Sequence, residues 1–313
     1  MASTPSFPVT QPLDSHVPTC ILTLSHGSSR PCKIWYTNKV GEERSPVAYR
    51  EFLRTTLPTL GLRWRRFRSG TIRRRIGARL QELGFSSFAE YRSHLLAHPS
   101  ERRFLTDQLT VTISRFWRNR FLFDALARTW LPALLACLQP GEPFRAWSAG
   151  CACGEEPYSV LLLWEEHFAT AGHELQLVAT DADRRCLHRA REGRYPASSL
   201  RELPLDLRHR YFVNVGGSFV ITPQIRNKVI WAEHNLLWEF PFPDIHLILC
   251  RNVAYTYFAE PMQYEITRCF HEALLPGGLL VIGRKDQLPP GADQLFRRAQ
   301  HPVYERLELP SVG

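Results

Sequence analysis

Four short apolar runs in the second half of the chain stop abruptly at polar residues, the pattern of buried strands whose ends face a common crevice. They are Phe144 to Trp147, Leu175 to Asp181, Lys228 to Glu233 and Ile245 to Cys250. Between the first two, Val160-Leu-Leu-Leu-Trp164 supplies the inward face of a helix opened by Glu155, Glu156 and Pro157. Asp183 is the natural cap of a further helix running to Arg191. Tyr211 to Thr222 predicts two strands joined at Gly216-Gly217. Tyr304 to Glu308 predicts a last strand at an antiparallel edge of the sheet. The front half has a different rhythm. Phe67, Ile72, Ile76, Leu80 and Leu83 recur at mainly helical spacing, predicting one amphipathic helix over 62–83 with arginines on its outer face. Ser86 to Tyr91 caps the next helix. Residues 1–45 mix Pro, Ser, Thr and scattered apolar positions without a period, and predict a disordered or loosely attached extension.

Strands alternating with helices define an α/β fold, and ligands in such sheets bind outside the carboxyl ends of the strands. The segment Arg145-Ala-Trp-Ser-Ala-Gly-Cys-Ala-Cys-Gly-Glu-Glu-Pro-Tyr-Ser159 is a strand, a glycine turn and an acidic helix start. Gly150 and Gly154 let a ligand lie against the backbone. Glu155 and Glu156 put negative charge where a pyrophosphate would want bare amides, so hydroxyls or cations fit better than phosphates. Asp181 ends the next strand, where a ribose-binding carboxylate belongs. The two later strands lead to Asn235 and Asn252. Four polar strand ends thus meet at one crevice.

From about residue 50 to 290 the chain resembles the CheR family of S-adenosylmethionine-dependent methyltransferases, which esterify glutamate side chains of chemotaxis receptors. The resemblance is carried by Trp147 to Ser159, Ala179-Thr-Asp-Ala-Asp183, Ala190 to Tyr195, His234-Asn-Leu-Leu237, Leu249-Cys-Arg-Asn-Val253 and Leu275-Pro-Gly-Gly-Leu-Leu280. It implies a Rossmann-like methyltransferase sheet, with a small helical N-terminal domain over 46–130 and the methyltransferase domain over 131–313. A small inserted β subdomain is expected at about 208–228. The cofactor contacts it implies are Thr112, Ser114, Arg118, Gly150, Glu155, Asp181, Asn235, Leu236, Asn252 and Val253. Three departures from the family pattern concern the acceptor side. Arg251-Asn-Val-Ala-Tyr-Thr-Tyr-Phe258 is one residue longer than usual, so either Tyr255 or Tyr257 takes the family's tyrosine position. Gly283-Arg-Lys-Asp286 replaces a Gly-His-Ser-Glu element, and Cys153 replaces the threonine of the glycine turn.

Methyl transfer from a sulfonium to an ionised carboxylate needs no general base, so positioning and water exclusion must supply the rate. Arg118 suits either the acceptor carboxylate or the methionine carboxylate, and Tyr255 or Tyr257 would orient the acceptor. Phe116 and Trp117 belong either beside the sulfonium or in the core. For Arg73, Arg74 and Arg75 three readings compete: a solvated face, an anionic surface such as nucleic acid or membrane, and the docking site for an acidic helical protein substrate. The last accords with the resemblance. Two alternatives stand beside the protein-glutamate reading: methylation of a small molecule or another protein group, and a non-catalytic sensor of the cofactor.

The 313 residues allow two domains, and the formal charge of +9, concentrated in the front half, calls for acidic partners. No apolar run approaches the roughly 20 residues that span a bilayer, and the expected location is the cytoplasm. The eight cysteines lack both a small-scaffold spacing and a zinc pattern, so reduced thiols and no metal are expected. No Asn-Pro-Pro-Tyr motif is present, and no nucleic-acid substrate is expected.

Overall fold

The computed structural model describes residues 44–109, 114–236 and 242–309. Thr112 and almost all of the extension expected over 1–45 lie outside them.

Four helices open the described chain: α1 (Pro46–Thr56), α2 (Gly70–Glu82), α3 (Phe88–Ala97) and α4 (Pro99–Leu109). Three of these starts have a local cause in a serine cap. Ser45 accepts from the Ala48 N–H ahead of a proline, Ser69 accepts from Ile72, and Ser87 with Glu90 forms a reciprocal capping box. The amphipathic helix expected from Leu62 therefore begins eight residues later. Gly61, with φ +71°, closes a preceding 3₁₀ turn, and Trp64–Phe67 forms a second one before the Ser69 cap. Only Ile72, Ile76 and Leu80 of the predicted apolar face lie buried on α2 itself. Arg79 turns inward from the same helix: Nε and Nη2 donate to Glu101 at 2.9 and 2.7 Å, and the Tyr91 hydroxyl joins them at 2.8 Å. This cluster, with Arg79 half-buried and Glu101 and Tyr91 buried, ties α2, α3 and α4 together.

A short helix α5 (Arg120–Ala125), a π turn (Leu126–Trp130) and α6 (Leu131–Leu135) lead into the sheet. Then follow β1 (Phe144–Ala149), α7 (Glu155–His167), β2 (Leu175–Asp181), α8 (Arg184–Glu192), β3 (Arg194–Pro196), α9 (Leu205–Tyr211), β4 (Phe212–Val215), β5 (Ser218–Ile221) and α10 (Pro223–Arg226). The chain continues through β6 (Val229–Glu233), β7 (Ile245–Cys250), α11 (Ala254–Tyr257), α12 (Glu260–Ala273), β8 (Leu274–Ile282), β9 (Phe296–Gln300) and β10 (Val303–Arg306).

Seven strands form one sheet in the order β6-β2-β1-β7-β8-β10-β9. The first five are mutually parallel, while β10 runs antiparallel to both β8 and β9. The final strand is thus antiparallel as expected but lies one place in from the edge. The edge is β9, whose Arg297 and Arg298 are exposed, a composition that hid it from apolar patterning. The hairpin at Gly216-Gly217 gains a third strand, β3, in the order β3-β5-β4.

Two apolar clusters fill the structure. One contains Phe144, Leu161, Leu177 and Leu247 and also takes in Leu122, Phe123 and Leu131 from the α5–α6 segment. The other runs from Phe52, Ile76 and Leu95 of the helical part to Trp147, Ile248 and Phe270 without a break. No helix among the described residues is long and apolar enough to cross a membrane.

Candidate active site

The turn after β1 is built to hold its backbone open. Gly150 sits at φ +78°, and a Cβ there would lie 2.7 Å from the Val253 side chain. Ala152 also adopts a positive φ, +51°, and its N–H donates to Asp181 Oδ2 at 2.8 Å. The Asp183 N–H donates to Asp181 Oδ1 at 2.9 Å. Asp181 is therefore a brace for the turn as well as a carboxylate on a cavity wall. Burial pushes its pKa up, and these two N–H groups pull against that shift. Asp183 is the α8 cap, as its spacing predicts.

The two acids that open α7 have different environments. Glu156 is spent on structure: Arg251 Nη1 lies 3.0 Å from its Oε2, and the Ser148 hydroxyl donates to Oε1 at 2.8 Å. Arg251 Nη2 reaches on to the Arg118 carbonyl at 2.6 Å. Glu155 is equally buried, yet its Oε2 has no hydrogen-bond partner among the described residues. Burial pushes its carboxyl up to about 7, opposed by its own N–H, Arg189 and Ser199. Cys153 Sγ lies 3.6 Å from Cys186 Sγ, and both are free thiols.

The cavity at the strand ends takes Gly150, Asp181, Asn235, Leu236, Val253 and Tyr257 from the sequence-derived set. Leu62, Phe67, Thr106 and Leu109 of the helical part close its other side. It shares Thr106 and Asn235 with a wider cleft of about 760 Å³. Glu155, Ser114 and Asn252 are not on its lining, and Thr112 is outside the described residues. Arg118 is exposed on a turn whose neighbours Trp117 and Asn119 have φ of 57° and 71°.

Packing places the two tyrosines differently. Tyr257 lines the cavity, half-buried, with its ring 5.5 Å from Phe67. Tyr255 is 2% exposed within the core and shares a 3.1 Å hydrogen bond with Thr267, so it is not a residue of the cavity wall. The extra residue between Val253 and Phe258 is absorbed by the one-turn helix α11, which turns Tyr255 inward. Phe116 and Trp117 are both core: Phe116 meets Tyr195 edge-on at 4.8 Å, and Trp117 stacks on Phe123 at 4.8 Å.

Two features escaped the sequence. Asp286, within the Gly283-Arg-Lys-Asp286 departure, accepts from the Asn252 N–H at 2.9 Å, the Gly283 N–H at 3.1 Å and the Thr256 hydroxyl at 2.6 Å. The other is a backbone seam between the domains: the Arg63 N–H donates to Tyr257 O at 2.8 Å and the Ala259 N–H to Gly61 O at 2.7 Å. A bridge pairs Leu62 with Phe258. The apolar residues flanking the arginines, Leu62 and Phe67, are the only sequence sign of it.

A parallel sheet with one reversed strand next to its edge, and polar strand ends around a glycine turn, define a Rossmann-like S-adenosylmethionine-dependent methyltransferase. Residues 112–304 match the CheR methyltransferase SAM binding domain, and residues 65–110 match the CheR methyltransferase all-alpha domain. The chain belongs to the CheR methyltransferase family. It is 32% identical over 245 residues to a chemotaxis protein methyltransferase of Listeria monocytogenes, covering 78% of this chain and 92% of that protein. To chemotaxis protein methyltransferase 2 of Pseudomonas aeruginosa it is 33% identical, over 74% of this chain and 82% of that one. It also matches a 104.1 kDa protein of Rhodobacter capsulatus at 30% identity, but spans only 26% of that longer chain.

The donor set suits the cofactor. Asp181 on the cavity wall complements ribose hydroxyls, Gly150 brings bare backbone to the same wall, and Glu155, off the lining, carries a buried carboxylate oxygen with no hydrogen-bond partner among the described residues.

Proposed function

We propose that this enzyme transfers the methyl group of S-adenosylmethionine to a side-chain carboxylate, that of glutamate, on an acidic helical protein segment. The observation that carries this reading is the electrostatic setting of Tyr257. Tyr257 lines the cavity, and its phenol is raised by burial and by the Asp286 carboxylate, while the Arg118 and Arg66 guanidiniums act in the opposite sense and bring positive charge to that wall. A carboxylate acceptor is welcome in that setting, and a cationic amine is not. The chemotaxis methyltransferase names of the relatives support the same substrate class.

The bound cofactor supplies an electrophilic methyl on a sulfonium with a neutral thioether as leaving group. The residues of this chain do the rest. Asp181 accepts ribose hydroxyls, Asn235 and Leu236 flank the base, and Glu155 receives the ammonium. Gly150 and Val253 form the floor, with Asn252 held beside them by Asp286. Ser114, and Thr112 by the family resemblance, complete the cofactor side. Arg118 and Tyr257 orient the carboxylate in line with the methyl. Leu62, Phe67 and Leu109 exclude water, so the attacking oxygen is not screened. Orientation of an already anionic oxygen suffices, because no proton has to be removed.

In this reading residues 46–130 form the substrate-facing helical domain and 131–313 the cofactor domain, with 208–228 in the small β subdomain. The enzyme works in the cytoplasm. The test uses methyl-labelled S-adenosylmethionine with membrane and soluble fractions of the host. Label on protein that mild base releases as methanol supports the reading. Base-stable label, or label on a small molecule, overturns the carboxylate acceptor.

A further inference from the structure

Two of the free thiols meet behind the cofactor turn. Cys153 stands in the turn between β1 and α7, where the family pattern has a threonine, and Cys186 stands in the first turn of α8. Their Sγ atoms are 3.6 Å apart, and the two residues are 1% and 4% exposed. Cys151 is not part of this contact: its thiol points to the Ala152 carbonyl at 3.8 Å, and its side chain packs in the apolar cluster of Phe144 and Leu177. The two sulfurs are unequal. The contact with Cys186 draws the Cys153 thiol below its ordinary pKa, with Arg189 acting the same way, against burial and the Glu155 and Asp181 carboxylates. The same contact and burial push Cys186 up. Cys153 is therefore the sulfur that ionises and Cys186 the one that keeps its proton, the division of roles between an attacking and a resolving thiol.

The segments that carry these thiols are the two that hold Asp181. The Ala152 N–H, next to Cys153, donates to one carboxylate oxygen, and the Asp183 N–H, in the cap ahead of Cys186, donates to the other. Neither segment has slack. The Tyr195 hydroxyl donates to the Cys153 carbonyl at 2.7 Å, and Gly154, at φ +92°, leaves a Cβ only 2.9 Å from Ala190 of α8 and from Trp231 of β6. A disulfide holds its sulfurs about 2.05 Å apart, so closing the pair draws the turn and the start of α8 together by roughly 1.5 Å. Close packing transmits such a shift rather than absorbing it. Asp181 then cannot keep both N–H bonds, and its carboxylate leaves its place on the cavity wall.

We propose that Cys153 and Cys186 are a redox-modification site, and that a disulfide between them yields a form of the enzyme that binds S-adenosylmethionine weakly. The inference rests on the cofactor and is independent of the carboxylate acceptor. The oxidant is a peroxide, a molecule close to water in size. Cys186 follows the exposed Arg185 in the first turn of its helix, and helix ends fray, which gives the peroxide a way in. The Cys153 thiolate attacks one peroxide oxygen: an S–O bond forms, the O–O bond breaks, and the released hydroxide takes the proton given up by Cys153 and leaves as water. The Cys186 sulfur then attacks the sulfenic sulfur, so that the S–S bond forms, the S–O bond breaks, and the second water leaves with the Cys186 proton. The thiols lose two electrons, and the peroxide gains them. A dithiol reductant reverses the modification by exchange. Linkage makes the effect mutual: bound cofactor, which needs Asp181 in place, disfavours the disulfide by the same factor as the disulfide disfavours the cofactor.

The test treats the full chain with hydrogen peroxide and digests it without reductant. Mass spectrometry should find the Cys153 and Cys186 peptides joined. Calorimetric titration of the treated chain with S-adenosylhomocysteine should show binding weakened about tenfold, the worth of one charge-assisted hydrogen bond, and dithiothreitol should restore it. Saturating S-adenosylhomocysteine present during oxidation should protect the pair. Cys186→Ala, at a residue off the cavity wall, should bind S-adenosylhomocysteine as the reduced wild type does and keep that affinity after peroxide. Cys153→Thr, which restores the family's residue, should be equally indifferent to peroxide. Absence of the joined peptide under conditions that oxidise the exposed Cys137, a joined peptide with unchanged affinity, or a dithiothreitol-reversible loss in Cys186→Ala equal to that of the wild type would each overturn the proposal. The joined peptide and the affinity are both read on the wild-type chain, so a variant that fails to fold leaves the test intact.

Discussion

The Asp286 carboxylate holds the Asn252 main chain in a left-handed turn, φ +60°, by accepting its N–H at 2.9 Å. The same oxygen takes the Gly283 N–H, and the other oxygen takes the Thr256 hydroxyl. One buried acid thus fixes the end of β7, the start of α11 and the end of β8. Replacing it with alanine leaves three donors without that acceptor. We expect Asp286→Ala to cost about 1–3 kcal/mol of stability, since each abandoned buried donor is expensive. Cofactor affinity should also fall, because Asn252 is no longer held. Thermal melting and calorimetric titration check the two effects, and unchanged values in both would remove Asp286 from any positioning role.

Cofactor affinity should depend on pH through Glu155. Its carboxyl is pushed up to about 7 in the folded protein. The ionised form receives an ammonium and the neutral form does so poorly, so affinity should rise with pH up to about 7. Below that it should weaken by as much as about tenfold per unit. The stability term has the opposite sign. A raised carboxyl stabilises the fold below its unfolded range near 4.5, and that contribution is lost as pH rises through about 7. Glu155→Gln should flatten both profiles. A wild-type affinity that does not change between pH 5.5 and 8 would take the ammonium away from Glu155.

The two tyrosines should separate cleanly. Tyr257→Phe is expected to leave melting and cofactor affinity alone while lowering kcat/KM roughly tenfold, about 1.4 kcal/mol of lost orientation. Tyr255→Phe should do the reverse. It removes a buried hydroxyl bonded to Thr267, for about 0.5–1.5 kcal/mol of stability, and leaves turnover near wild type. If Tyr255→Phe is the variant that loses turnover, the assignment of roles is inverted.

Gly150→Ala meets two obstacles, a positive φ and a 2.7 Å approach to Val253. Loss of cofactor binding is expected. Adding Val253→Ala removes the contact but not the backbone strain of about 1–2 kcal/mol, so binding should return in part. Full recovery in the double variant would mean that the turn needs no left-handed residue there.

Glu156→Gln leaves Arg251 buried at the hub between β1, β7 and the Arg118 turn. Breaking such a pair typically costs about 3–5 kcal/mol. A melting temperature within a degree of wild type would show that Arg251 finds another partner.

Much of the fold was legible because burial imposes a simple pattern on β2 and β7: their apolar runs match the strands residue for residue. Strand β9 was not, since Phe-Arg-Arg-Ala-Gln has a single buried residue and owes its strand form to pairing with β10. The α2 boundary was misplaced because Phe67, five residues ahead of Ile72 and so off the helical period, was counted into the apolar face although it serves a different wall, and the cap at Ser69 starts the helix after it. At the site, residues on strand ends could be named from sequence. Local motif reading could not reach Asp286, Leu62 or Phe67, whose roles depend on contacts with distant segments. It also could not divide Glu155 from Glu156: they are adjacent in sequence, but one faces Arg251 and the other faces nothing charged enough to hold its carboxyl down.

The unbroken apolar cluster from Phe52 through Trp147 to Phe270 has a consequence for how this protein comes apart. Its helical part is not a detachable accessory. Cutting the chain between α4 and α5 would strip the cover from one face of the sheet, leaving Ile248 and Phe270 in an incomplete core. A fragment with the cofactor turn but not the helices would therefore be an aggregation hazard rather than a minimal enzyme. The smallest heritable unit of this activity joins the helices and the sheet, and neither is free to be exchanged without redesigning the face it shares with the other.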